Sequence, residues 1–326
     1  MISRLSQLSR HLSKTTPNIS HFAVAPTARS GLSGVASRIM ASPDERNKRT
    51  IHTAACLIIG DEVLGGKTVD TNSAFMAKWC FSLGMSLKRV EVIEDDEDEI
   101  VAAVKSMSDR YDFVVTSGGI GPTHDDITYQ SIAKAFGLPL KLHDEAYERM
   151  KKLSKPHKSQ PNFSWDVDSP AKTARLRMVE LPVDENRDLA KQVLFPRDEL
   201  WVPVSVVNGN VHILPGVPRL FETLLEGLKP FIVDRLSDPD GKGIFRVIIS
   251  TPMAESSVAG YLTDLAARVA PQGVKVGSYP RWGKKNNTVT LVGRDQAYLD
   301  SLVPEVIANV EGKRINIEGE DDEPHQ

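Results

Sequence analysis

Short apolar runs alternate with segments of helical periodicity along most of the first 236 residues. The apolar runs have the length and composition of buried strands, and each helical segment places its apolar side chains on one face. Strands are predicted at residues 53–59, 87–93, 113–116 and 211–214, and helices at 70–83, 100–107, 128–136, 144–153 and 219–236. This alternation predicts βαβ units and a mostly parallel sheet. Residues 61–70 and 154–210 are predicted to be irregular.

A second series of elements follows the clearest linker, residues 237–243. Strands are predicted at residues 245–250, 274–279, 288–293 and 314–317, and helices at 255–269 and 296–310. The order βαββαβ is ferredoxin-like in outline and predicts a small α+β domain. The predicted domains are residues 50–236 and 244–317, between an N-terminal targeting or disordered segment (1–49) and an acidic, disordered tail (318–326).

The N-terminal segment has a composition of its own. Residues 1–43 contain no Asp or Glu, while Arg and Lys are interspersed with nine serines. Leu5, Leu8 and Leu12 can share one helical face, so we expect a mitochondrial transit peptide. A disordered tail without an address is the alternative. Met40 begins an acid-containing stretch, so a shorter cytoplasmic product starting there is the second expectation for localisation.

Composition excludes some broad function classes. A formal net charge of −3 gives no general attraction to nucleic acid. The apolar runs are shorter than the roughly 18 residues that a membrane span requires. Cys56 and Cys80 lie in apolar contexts, which disfavours a disulfide framework or a cysteine zinc site.

Candidate chemistry is concentrated in residues 117–126, directly after the third predicted strand. Gly118, Gly119 and Gly121 allow the backbone to approach an anion, and successive amides can form a phosphate nest. Asp125 and Asp126 supply the hard oxygen ligands that divalent metals prefer. This combination favours metal-assisted attack on a phosphate ester or phosphoanhydride. The structural alternatives are an ordinary glycine turn and a helix cap formed by either aspartate.

Acids also follow the first two predicted strands. Gly60, Asp61 and Glu62 come after the first strand, and Asp70 and Thr71 either cap the next helix or contact a ligand. Six consecutive acids occupy residues 94–99, which we interpret as a solvated helix start rather than a cation site.

Three motifs together resemble one family. They are Gly60-Asp61-Glu62-Val63-Leu64-Gly65 with Asp70-Thr71-Asn72, the block from Gly118 to Asp126, and Leu214-Pro215-Gly216-Val217-Pro218. They are similar to the molybdopterin-binding-like (MoaB/Mog-type) domain of competence-damage-inducible proteins and of the N-terminal half of eukaryotic FAD synthases. Residues 277–283 resemble the small domain that follows it in the eukaryotic branch. The resemblance implies a three-layer α/β domain followed by the small domain.

In this branch, the resemblance implies hydrolysis of FAD to FMN and AMP with a divalent metal, cobalt or magnesium, and with potassium. By motif position, Asp125 and Asp126 would bind metal and act in catalysis together with Asp61. The implied substrate-binding residues are Glu62, Asn72, Ser117, Gly118, Gly119, Gly121, Thr123, Arg177 and Gly216. For Arg177 an unengaged surface position is the alternative, and His124 is interpreted as a bystander.

Other functions remain open at this stage. The same fold could bind molybdopterin or a nucleotide in molybdenum cofactor biosynthesis, or serve as a non-catalytic flavin-binding module. FAD synthesis is disfavoured, because the stretch after Asn316 is too short for a synthase domain. The expected partner is a small nucleotide such as FAD, with neither nucleic acid nor membrane, and the resemblance makes a homo-oligomer plausible.

Overall fold

The computed structural model describes residues 41–155, 158–160, 162–239 and 243–322. The predicted transit-like helix and the alternative start at Met40 lie outside the described residues, as do residues 323–326 of the predicted tail.

The larger sheet has the strand order β2-β1-β3-β8-β7-β6. Its strands are β1 (Thr53–Ile59), β2 (Ser86–Ile93), β3 (Phe113–Ser117), β6 (Val193–Leu194), β7 (Val204–Val207) and β8 (Val211–Leu214). The strands β2, β1, β3 and β8 are parallel to one another, and β7 runs antiparallel to both of its neighbours, β8 and β6. A mostly parallel sheet is therefore confirmed. The strands β4 (Leu140–Leu142) and β5 (Glu180–Pro182) pair separately.

Helices follow the strands of this sheet. They are α1 (Pro43–Arg46), α2 (Asp61–Leu64), α3 (Asn72–Ser82), α4 (Glu97–Arg110), α5 (Thr128–Phe136), α6 (Asp144–Leu153), α7 (Pro170–Leu176), α8 (Pro218–Gly227) and α9 (Lys229–Ile232). The chain passes from β1 through α3 to β2, then crosses back through α4 to β3 on the other side of β1. Right-handed crossovers in opposite directions place α3 and α4 on opposite faces of the sheet. The result is an α/β sheet covered on both sides, with a strand-order reversal at β1 and β3.

Three predicted segments differ from the structure. The helix predicted at residues 219–236 ends at Gly227 and is followed by α9 and a 3-10 turn, because Pro230 lacks the N–H that a continuous helix needs. The predicted loop at 61–70 contains α2. The predicted irregular stretch 154–210 contains α7 and strands β5 to β7.

The smaller sheet has the order β10-β11-β9-β12, with all neighbours antiparallel. It consists of β9 (Phe245–Thr251), β10 (Lys275–Tyr279), β11 (Asn287–Gly293) and β12 (Lys313–Ile315), with α10 (Glu255–Val269) and α11 (Gln296–Val310). This order is that of a split βαββαβ unit. The sheet has its own apolar core, separate from that of the larger sheet.

Residues 42–49, which the sequence assigned to a targeting or disordered segment, pack onto the larger sheet's domain. Ser42 and Glu45 form a reciprocal capping box at the start of α1. The buried Arg46 donates through Nη1 to the carbonyl of Ser108 (2.6 Å) and through Nη2 to Asp109 (3.1 Å). Arg235 donates to the carbonyls of Arg46 and Arg49 (both 3.1 Å). These contacts join residues that are far apart in the sequence, so the composition of the N-terminal segment could not predict them.

Residues 318–322, which the sequence assigned to a disordered tail, have defined contacts. Asp321 and Asp322 bind side chains of the small sheet's domain. Among the described residues, no helix is both long and apolar enough to cross a membrane. Cys56 and Cys80 are buried free thiols, and burial raises the pKa of both.

Candidate functional site

The candidate site lies at the carboxyl ends of β1, β2 and β3, where the strand order reverses. Ligands on open α/β sheets bind at this kind of position. A cleft of about 640 Å³ opens here. Among the described residues that line it are five carboxylates, one cation and two glycines: Asp61, Glu62, Asp95, Asp125, Asp126, Lys67, Gly65 and Gly119.

Gly118 and Gly119 form the turn that leaves β3 beneath this cleft. Both have positive φ angles, 113° and 64°. A Cβ on Gly118 would lie 2.1 Å from the carbonyl oxygen of Ile59, so the turn runs directly against the end of β1. The Gly118 amide donates to the carbonyl of Leu214 (3.2 Å), and Thr128 Oγ1 donates to the Gly118 carbonyl (2.9 Å). The resemblance implied that Gly118 binds phosphate, but its amide is already bonded to the Leu214 carbonyl and joins β3 to β8. Gly119, in contrast, lines the cleft.

The loop from Gly121 to Asp126 curls around one carboxylate. Asp126 Oδ2 accepts hydrogen bonds from the amide (2.8 Å) and the hydroxyl (2.5 Å) of Thr123. A Cβ on Gly121 would lie 2.5 Å from the same oxygen, so a larger residue there would displace the Asp126 carboxylate. The loop therefore orients Asp126. The amide and the hydroxyl of Thr123 are both used for this contact.

Asp125 differs from its neighbour in being exposed. The Thr123 side chain is the largest influence that lowers the pKa of Asp125, with smaller contributions from its own backbone, His124 and Arg177. His124 Nδ1 lies 3.9 Å from Asp125 Oδ1 and is almost wholly exposed. Asp125 is therefore ionised at neutral pH and accessible to a cation in the cleft.

Arg177 reaches the same loop from the stretch that the sequence predicted to be irregular. It follows α7, and its Nη2 donates to the backbone carbonyl of Asp126 (3.1 Å). The guanidinium therefore stands beside the two aspartates. Arg177 is therefore engaged by this loop, and its contact with a phosphate stays a prediction.

Asp95 is a site residue that sequence reasoning missed. The six-acid run was interpreted as a helix start, and Asp96 does cap α4 by accepting from the amides of Asp98 and Glu99. Asp95 instead turns towards the cleft and accepts from the Asp61 amide (3.1 Å). Burial raises the pKa of Asp95, and the nearby charges of Asp61, Glu62 and Asp125 raise it further. The sequence did contain one indication that Asp95 belongs to the site: it lies two residues beyond the end of β2, the strand that pairs with β1.

Asn72, Ser117 and Gly216 line a second, smaller cavity that shares Ile59 and Glu62 with the cleft. The Asn72 amide nitrogen donates to Ser117 Oγ and to the Gly216 carbonyl, both at 2.9 Å. Asn72 Oδ1 is buried and has no hydrogen-bond partner among the described residues. Buried polar atoms are normally paired, so this oxygen is a free acceptor for a ligand group. Asp70 caps α3 by accepting from the Ser73 amide (3.0 Å).

The carboxylate oxygens of the cleft are suitable ligands for a divalent cation, but they do not form a complete coordination shell. Carboxylate oxygens suit magnesium and similar hard cations. Within the described part of the chain, however, no three His, Cys, Asp or Glu side chains converge closely enough to hold a metal ion. Magnesium commonly uses one or two carboxylates and completes its shell with water and substrate phosphates. Asp125 and Asp126 fit that mode.

Comparison with known proteins places this geometry in a family. A family model described as "Probable molybdopterin binding domain" matches residues 55–234, and one described as "FAD synthase, middle domain" matches residues 244–318. The matched residues include the cleft and, separately, the small sheet. The resemblance inferred from the three motifs is confirmed.

Individual relatives agree with this assignment. A "Probable FAD synthase" of Caenorhabditis briggsae is 34% identical over 237 residues, covering 72% of this chain and 44% of that protein. The chain thus spans less than half the length of this relative. A protein of Pyrococcus horikoshii is 31% identical over 264 residues, covering 80% of this chain and 96% of its own.

A solved structure is also similar: CinA of Thermoplasma acidophilum, described as having unknown function. It is 31% identical, covers 56% of this chain and 98% of its own, and has a TM-score of 0.45. The family assignment rests on the matched models and the sequence relatives. The chain belongs to the family defined by the probable molybdopterin binding domain, followed here by a region of the FAD synthase middle-domain type.

Proposed function

We propose that this chain hydrolyses a nucleotide pyrophosphate, with FAD as substrate and FMN and AMP as products. The observation that carries the proposal is that one cleft is lined by Asp61, Glu62, Asp95, Asp125 and Asp126, with Lys67 in the same lining and Arg177 bound to the Asp126 carbonyl. So many carboxylates repel one another unless a cation joins them; the pKa of Asp95 is raised mainly by burial and further by the charges of Asp61, Glu62 and Asp125. Relatives named FAD synthase support a flavin nucleotide as the substrate class.

The proposed reaction is the addition of water across the phosphoanhydride. A water oxygen forms a new bond to one phosphorus, and the bond from that phosphorus to the bridging oxygen breaks with its electron pair remaining on the bridging oxygen. The two protons of the water pass to the product phosphates or to solvent. FMN and AMP each leave with one phosphate. A divalent cation, cobalt or magnesium, would neutralise phosphate charge when bound. Potassium, which the resemblance also implies, remains an expectation.

The residues of this chain have separate roles in the proposal. Asp125 and Asp126 would hold the cation, Asp125 through its exposed carboxylate and Asp126 in the orientation that Thr123 imposes. Lys67 and Arg177 would attract the pyrophosphate into an otherwise acidic cleft. Asn72 Oδ1 would accept a hydrogen bond from a donor group of the substrate in the adjoining cavity.

A substrate panel tests this proposal. Purified full-length chain is incubated with FAD, ADP-ribose or molybdopterin, with and without cobalt or magnesium. We expect release of FMN and AMP, and a loss of about 100-fold or more in Asp125→Asn and Asp126→Asn. Asp264→Asn, an exposed acid of the small domain, is the matched control and should retain full activity. Intact FAD under every metal condition would sink the proposal.

A second candidate is ligand binding without turnover, favoured by the description of the matched family as probable molybdopterin binding. The ligand would then be molybdopterin or a nucleotide in molybdenum cofactor biosynthesis, or a flavin held by a non-catalytic module. Tight binding of one compound of the panel, recovered chemically unchanged, would support this candidate.

Mitochondrial location and homo-oligomer formation are separate proposals. Imaging of the tagged full chain tests the first, and sedimentation tests the second.

A further inference from the structure

A cluster of cations lies in the small domain, on a different sheet from the cleft. Lys284 and Lys285 in the β10–β11 loop and Lys313 on β12 line a cavity of about 510 Å³, together with Ser250 and Asn286. Arg281 precedes the two lysines in the same loop. We call these six residues (Ser250, Arg281, Lys284, Lys285, Asn286 and Lys313) the basic pocket; Glu311 lines the same cavity.

The residues that occupy the basic pocket are Asp321 and Asp322 of the chain's own acidic segment (Glu318–Asp322). Asp322 accepts from Arg281 Nη1 and Nη2 at 2.8 and 2.6 Å, a two-pronged contact, and lies 3.2 Å from Lys284 Nζ. Asp321 Oδ2 accepts from Ser250 Oγ (2.5 Å) and Asn286 Nδ2 (2.8 Å), and lies 3.6 Å from Lys313 Nζ. Two carboxylates thus satisfy donors that converge from three separate elements.

These donors are the kind that recognise phosphate. A planar guanidinium, ammonium groups, a hydroxyl and an amide N–H, grouped around the carboxylates of two successive residues, are donors that phosphate oxygens accept from. The carboxylate of Asp321 is an incomplete match, because its side chain is 3% exposed and its Oδ1 has no hydrogen-bond partner among the described residues. A buried oxygen without a partner costs free energy, so the segment is not the best possible occupant.

An aromatic ring is present in the same loop. Trp282 follows Arg281 directly and is fully exposed, which is unusual for a side chain of this size. Gly283, the next residue, lines the cavity. An exposed ring on the loop that carries the phosphate donors suits a ligand that has both a phosphate and a flat aromatic group.

We propose that the basic pocket binds a nucleoside monophosphate, and that the acidic segment is an intramolecular competitor for the same donors. The phosphate would replace the carboxylates of Asp321 and Asp322, and the base would stack on Trp282. A tethered competitor acts at a high effective concentration, so the ligand binds the intact chain weakly and displaces the segment when it does. The site is independent of the pyrophosphatase proposal, because it lies on another sheet.

Titration with AMP tests this inference, followed through the indole N–H signal of Trp282 in NMR spectra of the full chain. The variant Trp282→Phe lacks this signal and therefore assigns it. Because the signal reports on the small domain, AMP bound in the cleft does not interfere with the measurement. In Asp321→Asn/Asp322→Asn, we expect the signal to respond at an AMP concentration about tenfold or more below that of the wild type. Adenosine, which lacks the phosphate, should leave the signal unchanged.

Two further variants serve as controls. Adding Arg281→Gln/Lys284→Gln to the double variant should abolish the response, because the phosphate loses its main cationic donors. Asp234→Asn/Asp264→Asn removes two exposed charges elsewhere and should behave as the wild type. The inference is overturned if the Trp282 signal of a folded double variant ignores AMP, responds at the wild-type concentration, or responds equally to adenosine.

Discussion

Asp61 and Asp95 each donate a backbone amide to the other's carboxylate, at 3.1 Å from Asp61 N to Asp95 Oδ2 and 3.3 Å from Asp95 N to Asp61 Oδ1. The pair joins the loops that follow β1 and β2, and it brings two negative charges to the same wall of the cleft. The backbone hydrogen bonds stabilise the arrangement, while the charge repulsion opposes it.

The first prediction concerns the charge of Asp95. Because its pKa is raised, the folded protein holds this proton more readily than the unfolded chain does. The contribution of Asp95 to stability is therefore greatest below the ordinary aspartate pKa near 4, and it is lost as the pH rises through the raised pKa. Asp95→Asn keeps an acceptor for the Asp61 amide and should raise Tm by about 2 °C at pH 7 without divalent cations. The two proteins should converge near pH 3.

Thermal unfolding between pH 3 and 7 checks this prediction. Asp96→Asn is the matched control: it removes the same charge one residue along, at the N-cap of α4, and should give no gain. Added cobalt or magnesium should stabilise the wild type more than Asp95→Asn, because binding to the native state is linked to stability. A lower Tm for Asp95→Asn at pH 7 would contradict the repulsion argument.

The second prediction concerns Gly118. An alanine there would place Cβ 2.1 Å from the Ile59 carbonyl oxygen at a φ of 113°, so Gly118→Ala should destabilise the protein by about 3 kcal/mol or more. Gly137→Ala is the control, since φ there is 65° but no atom lies within 4 Å of the new Cβ. It should cost about 1 kcal/mol. Urea unfolding measures both, and equal losses would show that steric contact with β1 is unimportant.

The third prediction concerns acid stability. Burial, helped by the charge of Arg235, lowers the pKa of His212 to about 3. The neutral ring packs against Phe113, with ring centroids 4.3 Å apart. Stability from this group is fully present above the ordinary histidine pKa near 6.5 and is lost as the pH falls towards 3, by up to about 1.4 kcal/mol per pH unit.

Replacing His212 removes this dependence. His212→Gln should be less stable at pH 7.5, but its unfolding free energy should fall less between pH 6.5 and 4.5 than that of the wild type. His52→Gln, an exposed histidine, should leave the pH profile unchanged. Parallel pH profiles for the wild type and His212→Gln would show that His212 titrates normally in the folded protein.

The fourth prediction concerns the segment that precedes β1. Arg46→Ala removes donors to the Ser108 carbonyl and to Asp109 and leaves a buried gap. We expect a loss of about 2 kcal/mol in unfolding free energy. Lys48→Ala, two residues along and exposed, should change it by less than about 0.5 kcal/mol. Similar values for the two variants would mean that residues 42–49 contribute little to the fold.

Much of the fold follows from the sequence alone, because its elements are encoded locally. The apolar run of β1, the periodic helix α10 and the glycine-rich loop after β3 each carry their own pattern over a few residues. Hydrophobic periodicity and turn chemistry act over that distance, so strand and helix positions could be predicted closely. The placement of the candidate site at the strand ends followed from the same patterns.

Tertiary structure decided the features that depend on residues far apart in the chain. Asp95 enters the cleft because β2 lies beside β1, and Gly118 is required because the turn after β3 meets the Ile59 carbonyl. Arg46 is buried because Ser108 and Asp109 lie beneath it, and Asp322 is ordered because Arg281 reaches it from another loop. Composition marked the segments around Arg46 and Asp322 as disordered. Pairing between distant side chains overrode that tendency, since a buried or bidentate contact stabilises a polar segment that no local pattern predicts to fold.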